Sequence, residues 1–404
     1  MMSDAVTFIV AVIFVSINGL TMLAWAAAQG YKMKPTAFAF IIGAIGNLMT
    51  QSVTPISGQS SILTVSHFMK RMNERVAALL LAVVVMVPLG IFGGVTRIAE
   101  WAGNPVIWGM MAGVGLMVTG ISFDMIKQAK RTAIISLVSA LATHAFFVHM
   151  PFSPETMRHA LVYVIAVSVT LPTIDFVFIQ KKRVDIASMA KDAGYEGDMT
   201  QNENPKFWTK EYWADFKIVK PKFSLYAIMF ALAFISLNIG TNIAFGNITA
   251  GFAGETQNMD HLTVINSLAD IPSVIFGGAP VGAIISATAA SPAPVIAGVV
   301  MMVFCALLLL LGLMIKAVKY VPVQAIAGFL FIIGFFSTFV PNLRNVFFLG
   351  PPPHLNLNPN VTPLASAEAA AAMAITALTK NPFLGLVAGI SVRYIGVYLF
   401  PFIS

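Results

Sequence analysis

The sequence predicts an all-α polytopic membrane protein of about fourteen transmembrane segments, arranged as two inverted repeats of seven. Hydrophobic residues make up 58% of the 404 residues and charged residues only 10%, against about 25% charged in a soluble domain. Apolar runs long enough to cross about 30 Å of hydrocarbon recur along the chain. One polar stretch near the middle separates two halves of similar length, as an internal duplication would.

The clearest apolar runs lie in both halves. They are residues 8–29, 76–94, 107–123, 161–178, 223–239, 295–315 and 323–340. The first run lacks a basic flank and a small-residue cleavage site, so we expect a retained helix and not a signal peptide. About seven segments fit in each half if two irregular segments are accepted. The predicted organisation is a first repeat over 1–180, a polar linker over 181–222 and a second repeat over 223–404.

Several function classes find no support in the sequence. The single cysteine, Cys305, lies inside an apolar run, which excludes a disulfide framework and a cysteine-ligated metal site. The six histidines form no metal-type pair, and no nucleophile motif or phosphate loop is present. We therefore predict no enzymatic activity, no metal and no cofactor. The net charge of +7 comes from basic residues scattered over short connections, which indicates membrane topology and not nucleic-acid binding.

Two interrupted segments occupy corresponding places in the two halves. Residues 51–65 read QSVTPISGQSSILTV and residues 276–290 read FGGAPVGAIISATAA. Irregular backbone is tolerated inside a membrane only where it is buried in protein or lines a cavity. Such a pair therefore predicts a binding site for a small solute where the two segments meet. The alternative is a pair of ordinary interfacial loops.

Part of the second half resembles a known family. The stretches NSLADIPSVIFGGAPVGAIIS from Asn266 and YVPVQAIAGFLFIIGFFS from Tyr320 resemble the nucleobase permeases, which include xanthine, uracil and purine permeases, nucleobase–cation symporter-2 and the nucleobase–ascorbate transporters. IGTNIAFGN from Ile239 and GGVTRIAEWAGNP from Gly93 add looser likenesses. The resemblance covers most of the chain in order and spacing.

The resemblance implies a particular architecture. Segments 1–4 and 8–11 would form a core domain that holds the substrate, and segments 5–7 and 12–14 a gate domain, often at a dimer interface. The broken segments 3 and 10 would meet in mid-membrane, each with a half-helix N-terminus aimed at the substrate. The chain departs from the family at two positions. The family's carboxylates on segments 8 and 10 are replaced here by Leu237 or Asn238 and by Ser286 or its neighbour, and none of these side chains titrates.

The candidate substrate-binding residues form three groups. They are Gln59, Ser60 and Ser61 at the start of the segment 3 half-helix, then Asn238, Thr241 and Asn242 on one face of segment 8, and Gly278, Ala279, Pro280 and Ser286 in segment 10. The alternatives are helix capping for the serines, interhelical hydrogen bonding for the asparagines and helix packing for the small residues. Asp270 is a candidate for ion coupling, with a proton or sodium as the ion, and a structural role is its alternative.

Basic residues are biased towards the odd-numbered connections. Of the 24 lysines and arginines, only Arg97, Arg158, Arg344 and Arg393 fall elsewhere. By the positive-inside rule the odd connections, including 181–222, are cytoplasmic, which places both termini outside a cell membrane. Nucleobase permeases have cytoplasmic termini, so this chain is either inserted the other way up or miscounted by one segment.

The sequence leaves three functions open. The favoured prediction is a secondary transporter of a nucleobase or similar planar heterocycle by elevator or rocking alternating access. An anion transporter of the same fold, of the sulfate or bicarbonate type, is the first alternative, because two half-helix N-termini without a carboxylate between them suit an anion. A non-transporting membrane scaffold is the second. The expected partners are a small-molecule substrate, membrane lipid, a coupling ion and a second copy of the chain.

Overall fold

Long apolar helices dominate the part of the chain that can be described. The structure, a computed structural model, describes residues 4–58, 69, 71–153, 157, 159–185, 209–349, 356–357 and 362–399. Seven helices in these ranges are long and apolar enough to cross a membrane, and three shorter apolar helices lie in the second half. The predicted polytopic helical class is confirmed.

Seven successive elements make up the first half. They are α1 (Asp4–Ala28), α2 (Met33–Thr50), β1 (Ile56–Gly58), α3 (Met72–Ile91), α4 (Gly94–Gln128), α5 (Lys130–His149) and α6 (Ala160–Ile174), which continues as a π-helical turn (Asp175–Ile179). The turn from α3 into α4 needs a left-handed residue, which Gly93 supplies with φ 71°. A second glycine, Gly103, has φ 73° and breaks α4 two residues before Pro105.

A short helix and the second half follow. The elements are α7 (Lys210–Ala214), α8 (Leu225–Ala253), α9 (Met259–Ile275), β2 (Val281–Ala283), a 3₁₀ turn (Ala287–Ala290), α10 (Pro294–Leu310), α11 (Met314–Val318), a 3₁₀ turn (Val323–Ile326), α12 (Ala327–Phe331), a π-helical stretch (Ile332–Phe339), α13 (Val340–Phe347), β3 (Phe348–Leu349), β4 (Asn356–Leu357), α14 (Pro363–Thr379) and α15 (Pro382–Leu399). The run from residue 323 to 347 is thus one segment with mixed helical geometry.

The helices pack as two bundles. In the first, which we call the core, α2 lies against α10 and α9, and α3 lies against α9 and α8. In the second, the gate, α4 packs against α14, α14 against α15, and α5 against α6. The core thus contains α1–α3, α8–α10 and both crossing strands, β1 and β2, whereas the gate contains α4–α6 and α12–α15.

The close packing of α4, α14 and α15 in the gate depends on two glycine pairs. On α4, an added Cβ at Gly109 would lie 2.2 Å from the carbonyl oxygen of Ala369, and Gly113 faces the same helix, α14. On α15, Gly385 and Gly389 also lie against α14, and Gly389 lies against Val106 of α4 as well. Both pairs have the spacing of four at which small residues let membrane helices approach closely. Helix α14 therefore packs closely against glycines of both α4 and α15.

The end of the linker is attached to the core. Lys34 Nζ lies 2.7 Å from the carboxylate of Asp215, and both side chains are buried. Lys34 also lies over the ring of Tyr212, whose hydroxyl donates to the carbonyl of Leu310. Burial lowers the pKa of Lys32, which donates to the Asp215 carbonyl, and burial raises the pKa of Tyr212. The charged linker therefore docks at the end of the core where α2 begins and α10 ends.

Candidate functional site

Two short strands cross in the interior of the core. β1 pairs with β2 in antiparallel register, Ile56 with Ala283, Ser57 with Gly282 and Gly58 with Val281. All six residues are buried. The two interrupted segments therefore meet inside the protein, which the sequence analysis had predicted.

A proline and a polar side chain shape the entrance to each strand. Proline disfavours helical conformation in the residue before it. Before β1 that residue is Thr54, whose carbonyl accepts a 2.7 Å hydrogen bond from the Asn47 amide on α2. Before β2 it is Ala279, whose carbonyl accepts a 2.8 Å bond from the Ser273 hydroxyl on α9. The same contact occurs in both halves, which indicates that the two strands are equivalent parts of a repeat.

A cavity of about 110 Å³ lies between the strand crossing and the gate. The core contributes Asn18, Gly19, Met22, Ser57, Gly58, Phe245, Ile284 and Ile285. The gate contributes Met117, Val118, Ile121, Met125, Ile326, Phe329, Leu330 and Ile333. Ligand pockets for drug-sized molecules are about 300–1,000 Å³, so this space suits a small solute. Its position between two bundles suits a site that opens when one bundle moves against the other.

The polar groups of the cavity come from α1 and β1. Within the described part of the chain, the hydroxyl of Ser57 is buried and has no hydrogen-bond partner. A Cβ at Gly19 would lie 2.6 Å from this hydroxyl, so glycine is what lets Ser57 occupy its place. Asn18 adds an amide on the same wall. No ionisable side chain among the described residues lines the cavity, so its wall offers hydrogen bonds and shape rather than charge.

The first group of predicted site residues cannot be placed. Gln59, Ser60 and Ser61 lie outside the described residues. They follow Gly58, which lines the cavity, directly in the chain.

The predicted residues of α8 contact neighbouring helices. Asn242 donates to the Thr263 hydroxyl at 2.9 Å and accepts from the Asn266 amide at 2.7 Å, both on α9. Thr241 donates to the carbonyl of Leu237 one turn earlier. Asn238 is half-buried, and none of the three lines the cavity. The structure therefore places Asn242 in the interhelical network that was the alternative, while Phe245 is the residue by which α8 reaches the cavity.

The predicted residues around β2 support the strand. The amide of Ala279 donates to the Thr36 hydroxyl at 2.8 Å, and Gly278 packs where a Cβ would lie 2.5 Å from the Ser273 hydroxyl. Pro280 is buried beside them. Ser286 caps the 3₁₀ turn by accepting from the amide of Thr288. These residues hold the strand in place without lining the cavity.

Segment 10 has a shorter helical turn than the half-helix that the family resemblance implied. β2 is followed by the 3₁₀ turn at 287–290, and the next helix, α10, begins at Pro294. The reason is the sequence SPAP at 291–294. Its two prolines lack amide donors and prevent a helix from continuing through the turn.

Asp270 lies on α9 next to the strand crossing. Its carboxylate accepts a 2.8 Å hydrogen bond from the amide of Val281, the first residue of β2. The side chain is 5% exposed. The acid nearest the predicted site in sequence is therefore bonded to the strand and not to the cavity.

The two polar residues of the cavity were missed by the sequence analysis. Ser57 lies inside the interrupted segment at 51–65, two residues before the group that was chosen. Asn18 lies between Ser16 and Thr21 in the long apolar run at 8–29. These few polar residues in an otherwise apolar helix were the available signal.

These features define a polytopic helical membrane fold of two inverted repeats whose interrupted segments cross at the centre. Solved structures share it. The transmembrane domain of a cyanobacterium bicarbonate transporter, BicA, superposes with a TM-score of 0.52 at 12% identity, over 96% of this chain and 98% of that one. SLC26A9 gives 0.57 at 13% identity, over 97% of this chain and 64% of that one.

A murine Slc26a9 anion transporter in the inward-facing state gives a TM-score of 0.55 at 13% identity, over 98% of this chain and 68% of that one. At these identities the likeness concerns the fold. No family model and no curated protein matches the sequence. The architecture that the nucleobase permease resemblance implied is confirmed, whereas membership of that family stays a prediction.

Proposed function

We propose that this chain is a secondary transporter of a small anion that works by alternating access, the core carrying the solute past the gate. The observation that carries the proposal is the small cavity between core and gate, into which the strand crossing presents the unpartnered hydroxyl of Ser57. The fold is shared with a bicarbonate transporter and an anion transporter. A hydroxyl and an amide can both donate to an anion without a counter-charge.

The composition of the cavity favours an anion over a nucleobase. Nucleobase permeases use two carboxylates against the base, whereas here no carboxylate of the described residues lines the cavity. A carboxylate in a site of low dielectric would repel an anion by several kcal/mol. The lining described here therefore offers no such obstacle to an anion, and it also lacks the carboxylates that would bind nucleobase N–H donors.

The nucleobase remains the second candidate because of two aromatic rings. Phe245 from the core and Phe329 from the gate both line the cavity. A planar heterocycle can stack on such rings, and the amide of Asn18 can pair with a base edge. This candidate requires the cavity to widen, since about 110 Å³ is small for a purine.

Flux through purified protein in liposomes distinguishes the candidates. We expect uptake of radiolabelled bicarbonate, chloride or sulfate, and no uptake of uracil or xanthine. Ser57→Ala should weaken apparent anion affinity about tenfold or more, because a hydrogen bond to a charged group is worth about 1.5–3 kcal/mol. The matched control is Ser168→Ala, a buried gate serine whose hydroxyl donates to its own helix.

Two results would contradict the anion proposal. Uptake of a nucleobase without anion flux would select the second candidate. An absence of flux for every probe, with the protein folded, would favour the scaffold.

We also propose that the linker faces the cytoplasm of a cell membrane, that both termini face outside, and that the gate forms a homodimer. Contacts between the linker and the odd-numbered connections support the assignment of these basic segments to one side of the membrane. Lys34 is bound to the linker, and the linker residue Lys222 donates its amide to Asn73 at the start of α3. In the gate, Lys380 after α14 pairs with Asp124 near the end of α4, so two more of the odd-numbered connections lie close together.

The orientation can be tested with one introduced cysteine. The only native cysteine, Cys305, is buried, and Lys217 is exposed on the linker. We expect Lys217→Cys to react with a membrane-impermeant maleimide only after cells are permeabilised. Labelling in intact cells would place the linker outside and reverse the assignment.

A further inference from the structure

One face of α9 carries a buried polar stripe through the core. Its members recur every three or four residues, the spacing of one helix face. They are Asp260, Thr263, Asn266, Asp270 and Ser273, and none is more than 8% exposed. Buried polar stripes are expensive inside a membrane and mark ion or proton pathways more often than lipid-facing surfaces.

The two acids of the stripe have different partners. Asp260 lies at the outer end of α9 and accepts hydrogen bonds from the amides of Val95 and Thr96, where the positive end of α4 compensates its charge. Asp270 has one hydrogen bond, from the amide of Val281. No basic side chain in the described ranges lies within ion-pair distance of Asp270. Its second oxygen is therefore free to carry a proton.

The neighbour of Asp270 lacks a donor. Asn266 lies one helical turn earlier on the same face, and its amide nitrogen donates to Asn242. Its carbonyl oxygen is buried and has no partner among the described residues. A buried acceptor without a donor costs about 1–3 kcal/mol. A proton on Asp270 would provide that donor.

The bond from Asp270 reaches the cavity in two steps. Val281 pairs with Gly58 across the strand crossing, and Gly58 lines the cavity beside Ser57. An ionised carboxylate accepts a hydrogen bond more strongly than a neutral acid does. Protonation therefore loosens the anchor of β2 while removing a negative charge from behind the anion-binding wall.

We propose that Asp270 binds the proton that is co-transported with the solute. A proton from solvent binds the free carboxylate oxygen, the neutral acid then donates towards Asn266, and an anion in the cavity no longer faces a buried negative charge. A unit charge about 10 Å away in an effective dielectric of about 20 weakens anion binding on the order of tenfold. The inference rests on the proposed transport function and identifies the coupling ion as a proton.

The other described titratable side chains around α9 form no hydrogen bond or ion pair with the Asp270 carboxylate. The elements packed against it are α2, α3, α8, β2 and the first turns of α4. The charged or titratable side chains of these elements near α9 are Lys34, Glu74, Arg75, Tyr226, Arg97 and Glu100. Helix α9 itself adds His261. Lys34 is paired with Asp215, and Arg75 donates to the carbonyls of Met69 and Gln29. None of these side chains makes a hydrogen bond or ion pair with Asp270.

The test combines flux with a direct measurement of the proton. In proteoliposomes with chloride, sulfate and bicarbonate as probes, an inward proton gradient should accelerate uptake by the wild-type protein. Asp270→Asn should abolish this acceleration and keep exchange without a gradient. The matched control Asp260→Asn should remain gradient-driven. Infrared difference spectra between acid and alkaline pH should show a protonated carboxylic acid band that Asp270→Asn loses and Asp260→Asn keeps.

The outcomes separate this inference from the proposed function. Gradient-driven uptake by Asp270→Asn, anion uptake by the wild type that ignores the gradient, or an unchanged infrared band would each overturn the assignment of Asp270 and leave anion transport standing. No flux of any probe with the Asp270 band present would remove the transport function instead. If Asp270→Asn does not fold, Asn266→Leu replaces it. It should shift the band by removing the acceptor, and an unshifted band would overturn the proposal.

Discussion

Asp215→Asn is expected to lower the free energy of unfolding by about 3–5 kcal/mol, the cost of leaving one charge of a buried pair without its partner. The Lys34 ammonium lies 2.7 Å from the Asp215 carboxylate, with side chains 3% and 9% exposed. After the substitution the ammonium keeps the carbonyl of Tyr212 as an acceptor. A neutral carbonyl does not compensate a buried positive charge.

An exposed pair provides the control. Asp124 pairs with Lys127 at 2.9 Å, and both side chains are at least 50% exposed. Asp124→Asn should cost about 0–1 kcal/mol, because exposed ion pairs contribute little. Unfolding by a denaturing detergent, followed by circular dichroism, measures both variants. Equal losses would show that the linker does not depend on this ion pair.

The double variant separates charge burial from packing. Lys34→Met combined with Asp215→Leu removes both charges and fills the space with apolar atoms, which is often neutral for stability. We expect it to recover most of the loss seen in Asp215→Asn. The ion pair would then serve to place the linker rather than to stabilise the core. Limited proteolysis of the linker should be faster in Asp215→Asn than in the double variant.

The fold was predictable because its signals extend over many residues. An apolar run of about 20 residues still predicts a membrane helix when its ends are misplaced by two residues. Each of the seven apolar runs named from the sequence therefore coincides with a helical segment, whereas α2, α5, α9, α14 and α15 were not named as runs. The two interrupted segments were found because Pro55 and Pro280 lie at matching places in the two halves, although the short strands that they form were not predicted. The proline is what prevents a helix there.

The cavity residues were not predictable to the same degree because they depend on single positions. Ser57 lines the cavity because β1 pairs with β2 in the register that places Ser57 opposite Gly282, and because Gly19 leaves room for the Ser57 hydroxyl. A polar triplet such as Asn238, Thr241 and Asn242 predicts a polar neighbour but not whether it is solute or protein. In the structure Asn242 forms its hydrogen bonds with Thr263 and Asn266 of α9. The partner of a buried polar side chain depends on tertiary contacts, which a local sequence pattern does not reveal.

The glycines packed against α14 lead to the second large effect. Gly109→Leu should destabilise the gate by more than about 3 kcal/mol, above the usual range for an overpacked site. An added Cβ would lie 2.2 Å from the carbonyl oxygen of Ala369 and 2.6 Å from its Cα. Both atoms belong to the backbone of α14, so no side-chain rotation relieves the clash, and the two helices must separate.

A glycine on the same helix gives the opposite expectation. At Gly120 an added Cβ meets nothing within 4 Å, and leucine favours the helix over glycine by roughly 0.5–1 kcal/mol. Gly120→Leu should therefore leave stability unchanged or raise it, while Gly109→Leu lowers the melting temperature in detergent. If both leucines destabilised equally, close approach of α4 to α14 would not be what makes the gate rigid. The fixed gate past which the proposed mechanism moves the core would then have to depend on other contacts.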